Sequence, residues 1–226
     1  MVHALRLYTS RLCPFAHRVR LTLAEKGLAA EHVEIDPKGK PRDFHLLSPT
    51  GRIPLLEHGA VRIWESAVIM QYIEEAFPDT PLMPATPADR AATRLWLEFA
   101  DNRVLAATHR MLCERDAAKQ AAQAGHLMAA VEHVERHLTR QDADSPFLMG
   151  SMFTLADIAL YPWFEQLAAL EKLSPLRMPS ACRRVLAWKT AVASRPAVEV
   201  CSQSDAWYEE SYRREFQRAD RSPDLV

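Results

Sequence analysis

Apolar and polar positions alternate along Ala4-Leu5-Arg6-Leu7-Tyr8-Thr9, the two-residue period of a half-buried strand. The period then lengthens: Ala16, Val19 and Leu23 recur at helical spacing, with Pro14 suited to the first turn and Gly27 to the stop. Glu31-His32-Val33-Glu34-Ile35 predicts a second strand, Asp36-Pro37-Lys38-Gly39-Lys40-Pro41 a turn-rich loop, and residues 42–47 a short helical piece. Ile53-Pro54-Leu55-Leu56-Glu57 and Ala60-Val61-Arg62-Ile63-Trp64 predict a hairpin around His58-Gly59. Ser66 then opens a helix whose Ile69, Tyr72, Ile73 and Ala76 form one apolar stripe. The order is βαβ followed by ββα.

Prolines at 78, 81, 84 and 87 mark an extended linker over residues 79–86, between a first domain (1–78) and a second (87–226). Beyond it the strand signals disappear. Thr86-Pro87-Ala88-Asp89 supplies a cap, a first-turn proline and an acid in order, opening a helix that carries Leu95, Trp96 and Phe99. Leu127, Val131, Val134 and Leu138 form a helical stripe, as do Val185, Trp188 and Val192 before Arg195-Pro196. Thr154-Leu155-Ala156-Asp157 is a second capping box, which gives Asp157 a structural role, and Pro162 predicts a kink in the helix it opens. The expected fold class is therefore an α/β domain followed by an all-helical one, with a mobile tail over residues 218–226.

Composition narrows the function classes. With 48% hydrophobic and 25% charged residues, the chain reads as an ordinary globular protein. A net charge of −1 gives no global attraction to nucleic acid or to an anionic membrane. No apolar run approaches the ~18 residues of a membrane span, and no signal peptide precedes the first strand. Cys13, Cys113, Cys182 and Cys201 are too scattered for a metal site or a disulfide scaffold, which fits a cytoplasmic protein without a metal. His126, His133 and His137 lack further ligands at metal spacing.

The chemistry concentrates at Ser10-Arg11-Leu12-Cys13-Pro14-Phe15-Ala16-His17, where a strand hands over to a helix. At or beside the N-cap, the Cys13 thiol faces the positive end of the helix dipole, a setting that lowers a thiol pKa. A buried, inert cysteine is the competing reading. Ala16 occupies the place of the second thiol in a Cys-x-x-Cys motif, so any mixed disulfide at Cys13 must be cleared by an outside thiol. His17, one turn on, either assists thiolate formation or is simply exposed; Tyr8 and Ser10 are further hydroxyl donors.

Taken together, Cys13-Pro14-Phe15-Ala16, Gly51-Arg52-Ile53-Pro54, Trp64-Glu65-Ser66 and Phe153-Thr154-Leu155-Ala156-Asp157-Ile158 resemble the cytosolic glutathione transferase family. The Cys-Pro-Phe-Ala start and Lys40-Pro41 are similar to its cysteine-type, omega-like members. The resemblance implies a thioredoxin-like N-terminal domain, an all-helical C-terminal domain lining the second-substrate site, and a homodimer. It also implies glutathione as cosubstrate and thiol transfer to mixed disulfides, dehydroascorbate or related acceptors. Cys13 is the catalytic residue on this reading. Ser66 at a helix start suits the γ-glutamyl carboxylate and Glu65 the ammonium. Ile53, before a Pro54 that the family holds in cis, offers its backbone to the cysteinyl unit. Lys40 meets the glycyl carboxylate, and Phe15 supports the site. Plain alternatives stand beside these roles: an ordinary N-cap for Ser66, a solvated lysine for Lys40 and core packing for Phe15.

Two rivals remain. Residues 56–94 also resemble the bacterial stringent starvation protein, a relative of the same fold that binds RNA polymerase without glutathione chemistry. A conventional transferase conjugating glutathione to electrophiles is the other. The second substrate, whether a small molecule or a disulfide, is not named by the sequence; Trp96, Phe99, Arg103 and Trp207 are candidates for its pocket.

Overall fold

A computed structural model describes residues 4–36, 39–41 and 43–221, with side chains through Glu215. Strand β1 (Leu5–Thr9) lies inside a four-stranded sheet of order β2-β1-β3-β4. It pairs in parallel with β2 (Ala30–Glu34), Leu5 opposite Ala30 and Thr9 opposite Glu34. A parallel pair needs a crossover, and α1 (Pro14–Glu25) supplies it. On the other side β1 runs antiparallel to β3 (Leu55–His58), with Leu7 opposite Leu56. The tight hairpin to β4 (Val61–Trp64) places Leu56 opposite Ile63. Leu7, Leu56, Val19 and Leu23 join Ile69 and Ile73 of α2 (Ser66–Ala76) in one core, as the stripes predict.

Two local expectations change. Within residues 42–47 the described helix is a single 3-10 turn, Phe44–Leu46, while Arg42 lies outside the described residues. Ile35 follows β2 rather than ending it, but remains buried, and its N–H donates to the Thr9 carbonyl at 2.8 Å.

The proline-rich segment has no regular element, yet it is tightly held. The Lys26 ammonium donates to the Phe77 and Thr80 carbonyls at 2.8 and 2.7 Å. The same ammonium pairs at 2.6 Å with Glu74, whose carboxylate accepts the N–H groups of Leu82 and Met83. Leu82 and Met83 are buried.

Beyond the segment come α3 (Pro87–Phe99), a π-helical stretch Ala100–Leu105, α4 (Ala106–Cys113), α5 (Ala117–Thr139), α6 (Leu155–Leu173), α7 (Arg183–Ala193), α8 (Pro196–Cys201) and α9 (Asp205–Arg221). Thr86 caps α3 by accepting the Asp89 N–H at 3.1 Å. On α3 Leu95 is 71% exposed, whereas Trp96 is buried. Helix α6 forms the centre of this half and runs through Pro162 without a break. Its start is fixed by Asp157, which accepts from Leu148 N–H, Thr154 N–H and Trp188 Nε1. Helix α1 packs against α6 and α8, so the two halves share a face. Glu25 at the end of α1 takes a bidentate pair from Arg195 at 2.7 and 2.6 Å. The α9 backbone continues to Arg221, past the expected start of a mobile tail; residues 222–226 lie outside the described residues.

Candidate functional site

The turn between β1 and α1 carries Cys13 at the N-cap of α1, with Pro14 in the first helical position. Pro14 has no N–H to leave unpaired there. The Cys13 N–H donates back to the Ser10 carbonyl at 3.2 Å, while its own carbonyl accepts the His17 N–H at 2.9 Å. This leaves the thiol facing the N–H groups of Phe15 and Ala16. The result differs from the expected low pKa. Burial pushes the Cys13 thiol up, and the opposing influence of those two N–H groups and of the Arg20 and Arg18 cations does not overcome it.

His17 is fully buried and, with its pKa lowered to about 3 by burial and by the Arg20 cation, uncharged. Its Nδ1 stands 3.9 Å from Glu165 Oε1, too far for a hydrogen bond. A neutral ring aimed into the core does not supply the positive charge that one turn of helix suggested. Tyr8 is likewise turned away: its hydroxyl donates to Glu57 at 3.1 Å. Ser10 contributes its carbonyl, which accepts from both Cys13 and Arg20.

At the start of α2, Glu65 occupies the N-cap position with φ 64° and ψ 110°. That conformation is unfavourable for a side chain with a Cβ by ~1–3 kcal/mol, a cost that persists only where the surroundings enforce it. It turns the chain so that Ser66 is the first helical residue rather than the cap. The Val68 and Ile69 N–H groups already donate to the Glu65 carbonyl, so the Ser66 and Ala67 N–H groups are those ahead of the first intrahelical bond.

Ser66 is buried, and its Oγ accepts from Arg18 Nε at 2.9 Å and Nη2 at 2.6 Å. With its oxygen so occupied, the hydroxyl proton is left for an acceptor. Arg18 itself is 1% exposed, pairs at 2.6 Å with Asp101 of the π-helical stretch, and lies 5.2 Å from the Phe15 ring. Its Nη1 has no hydrogen-bond partner among the described residues. A buried guanidinium N–H without an acceptor, beside a helix N-terminus, fits an incoming carboxylate.

The Ile53–Pro54 bond is cis, as the family resemblance implied. Nearby, Lys40 Nζ donates to the Gly51 carbonyl at 2.8 Å, with the remaining ammonium protons on an exposed side chain. Phe15 is half-buried against the core and against Arg18. Thus Cys13 and Phe15 sit on one side, Ser66 and Glu65 are tied to them through Arg18, and Lys40 is tied to the loop that enters β3. Arg18, Asp101, Gln166 and Tyr212 did not stand out in the sequence. A charged residue one turn past Phe15 was the available signal for Arg18; its partners are remote along the chain.

Comparison with known proteins decides the family. The glutathione S-transferase N-terminal domain matches residues 7–81 and the glutathione S-transferase C-terminal domain residues 115–188. The chain belongs to the glutathione S-transferase family. Within that family it is 30% identical over 195 residues to glutathione S-transferase omega-1 of Sus scrofa, spanning 86% of this chain and 78% of that one. It is also 30% identical over 167 residues to the omega-2 protein of Homo sapiens, spanning 72% and 67%. Among solved structures, glutathione transferase Omega 3C from Trametes versicolor superposes with a TM-score of 0.81 at 24% identity, covering 98% of this chain and 94% of that one. A rice transferase solved in complex with glutathione gives 0.83 at 24% identity, over 96% of this chain and 100% of that one. These superpositions confirm the transferase fold, a thioredoxin-like domain followed by a helical one. Among the described residues of this transferase, no helix is long and apolar enough to cross a membrane.

Proposed function

We propose that this protein is a glutathione-dependent thiol transferase that works through a mixed disulfide at Cys13. The observation that carries the reading is a lone thiol at the start of α1, facing two backbone N–H groups, with Ala16 where a second cysteine would stand. In the first step the Cys13 thiolate attacks the glutathionyl sulfur of a mixed disulfide. A Cys13–glutathione disulfide forms, the acceptor's disulfide breaks, and the leaving thiolate takes up a proton. A second glutathione, as thiolate, then attacks that glutathionyl sulfur, yielding oxidised glutathione and reduced Cys13. Dehydroascorbate-type acceptors are the related substrates.

The peptide is held at both ends on this reading. Its γ-glutamyl carboxylate meets the Ser66 and Ala67 N–H groups, the Ser66 hydroxyl and Arg18, and its ammonium meets Glu65. The Ile53 backbone before Pro54 pairs with the cysteinyl unit, Lys40 takes the glycyl carboxylate, and Phe15 packs beside the site. Residues 1–78 are the glutathione-binding domain, 79–86 the connection, and 87–226 the domain that lines the second-substrate site. No metal takes part, and four unpaired cysteines suit a cytoplasmic setting. The protein works as a homodimer: Val61, Trp64, Val68 and Leu95 expose apolar surface on β4, α2 and α3.

One observation favours a second reading. A Cys13 thiol pushed up by burial is an S–H donor, which could stabilise a glutathione thiolate for conjugation to an electrophile. The variant Cys13→Ser separates the two. Thiol transfer predicts that oxidised glutathione adds one glutathionyl group at Cys13, seen by mass spectrometry, and that Cys13→Ser abolishes reduction of a small mixed disulfide. Labelling chiefly at Cys113, Cys182 or Cys201, or disulfide reduction that survives in Cys13→Ser, would defeat it. The RNA polymerase-binding alternative predicts no retention on immobilised glutathione.

A further inference from the structure

Three successive carbonyls ahead of Cys13 are each held by a side chain that is itself buried. Arg20 Nη1 donates to the Ser10 carbonyl at 3.0 Å and Nη2 to the Arg11 carbonyl at 3.3 Å. The third, on Leu12, accepts from Gln166 Nε2 at 3.2 Å, although Gln166 lies in the middle of α6, in the other half of the molecule. Gln166 is 1% exposed, so its amide can find partners only inside the protein.

A carbonyl only accepts, so the amide nitrogen must face Leu12 and the amide oxygen must turn the other way. There the Tyr212 hydroxyl of α9 donates to Gln166 Oε1 at 2.5 Å. If the amide rotated, its oxygen would oppose the Leu12 carbonyl, dipole against dipole. Burial and the nearby Cys13 charge push the Tyr212 phenol far above its ordinary range.

We infer that Tyr212 and Gln166 are positioning residues for Cys13. They draw the Leu12 carbonyl away from the thiol and keep the Phe15 and Ala16 N–H groups on it, so that the docking of α9 sets the reactivity of Cys13. The inference rests on the reading of Cys13 as the nucleophile. Among the described residues, the charged and titratable groups that act on the thiol include Arg18 and Arg20 from α1 and Tyr212 from α9, and neither substitution below removes a cation.

The test is the pH profile of Cys13 alkylation by iodoacetamide in the full-length protein, followed by mass spectrometry of the Cys13 peptide. Tyr212→Phe removes the hydroxyl; Gln166→Met keeps the length of the side chain and removes both hydrogen bonds. Each is expected to raise the midpoint by about half a pH unit or more, which is a roughly three-fold loss of labelling rate below the midpoint. Tyr208→Phe is the comparison, since it loosens α9 elsewhere, at the Tyr208–Glu165 hydrogen bond, without touching Gln166. Should Tyr212→Phe fail to fold, Gln166→Met carries the test. A midpoint at the wild-type value in either folded variant, or a shift as large in Tyr208→Phe, overturns the relay and leaves the nucleophile reading intact. Wild-type Cys13 that resists alkylation throughout the profile overturns the nucleophile reading, and the relay falls with it.

Discussion

His17 lies one turn beyond Cys13 with no exposed surface and with neither ring nitrogen hydrogen-bonded among the described residues. Burial, then the Arg20 cation, lowers its pKa to about 3, against ~6.5 in an unfolded chain. A lowered folded-state value means that its contribution to stability is complete above the unfolded pKa. That contribution drains away as pH falls from ~6.5 toward the folded value, because the unfolded chain binds the proton first. His17→Leu should therefore flatten the acid side of the stability profile by up to about 1.4 kcal/mol per pH unit, measured by urea unfolding at successive pH values. Equal slopes in the two proteins would show that His17 titrates normally. The residue also marks where sequence reading stops. Cys13 and Pro14 were legible because a helix start is a local event, written in adjacent residues. Whether His17 faced solvent or α6, and whether Arg18 met Ser66 and Asp101, depended on parts of the chain that only folding brings together.

Among the elements, α6 was the most fully legible, because a capping box and a long apolar run state both its start and its burial. Asp157 at that start does more than cap. Fully buried, it gathers the Leu148 N–H, the Thr154 N–H and the Trp188 indole N–H, tying the preceding loop and α7 to α6. Burial pushes its pKa up while those donors pull it down. Asp157→Ala leaves several buried donors without an acceptor, at ~1–3 kcal/mol for each, so a loss of at least 3 kcal/mol is expected. Denaturant unfolding measures it, and a loss below about 1 kcal/mol would mean that water replaces the carboxylate. Shorter elements were harder to read. Residues 42–47 carry too few apolar positions to separate a 3-10 turn from an α-helix, and the π-helical stretch at 100–105 continues the α3 pattern with no break in composition. Of the apolar residues that α3 carries, Trp96 is buried and Leu95 faces outward, a difference that helical spacing alone does not state.

Across the whole molecule, the exposed apolar side chains on α2 and α3 are the basis for the proposed dimer. Val68→Glu with Leu95→Glu places charges on that surface while both positions remain compatible with helix. Sedimentation should then fall from twice the chain mass to 25.6 kDa, with the melting behaviour of each chain retained. A wild-type protein that already sediments at 25.6 kDa would remove the proposal. The division into an α/β half and a helical half was legible from the change of period, and the prolines marked the segment between them; its grip on both halves was not. Lys26 and Glu74 belong to the first half and neutralise each other, yet both also hydrogen-bond the backbone of residues 77–83. A chimera joined at Pro78 would thus inherit a buried ammonium and carboxylate from one parent and three of their four backbone partners, at Thr80, Leu82 and Met83, from another. Crossovers placed after Met83 keep that set of contacts within a single ancestry, which makes the end of the strap, and not its first proline, the natural border for exchanging helical halves between relatives.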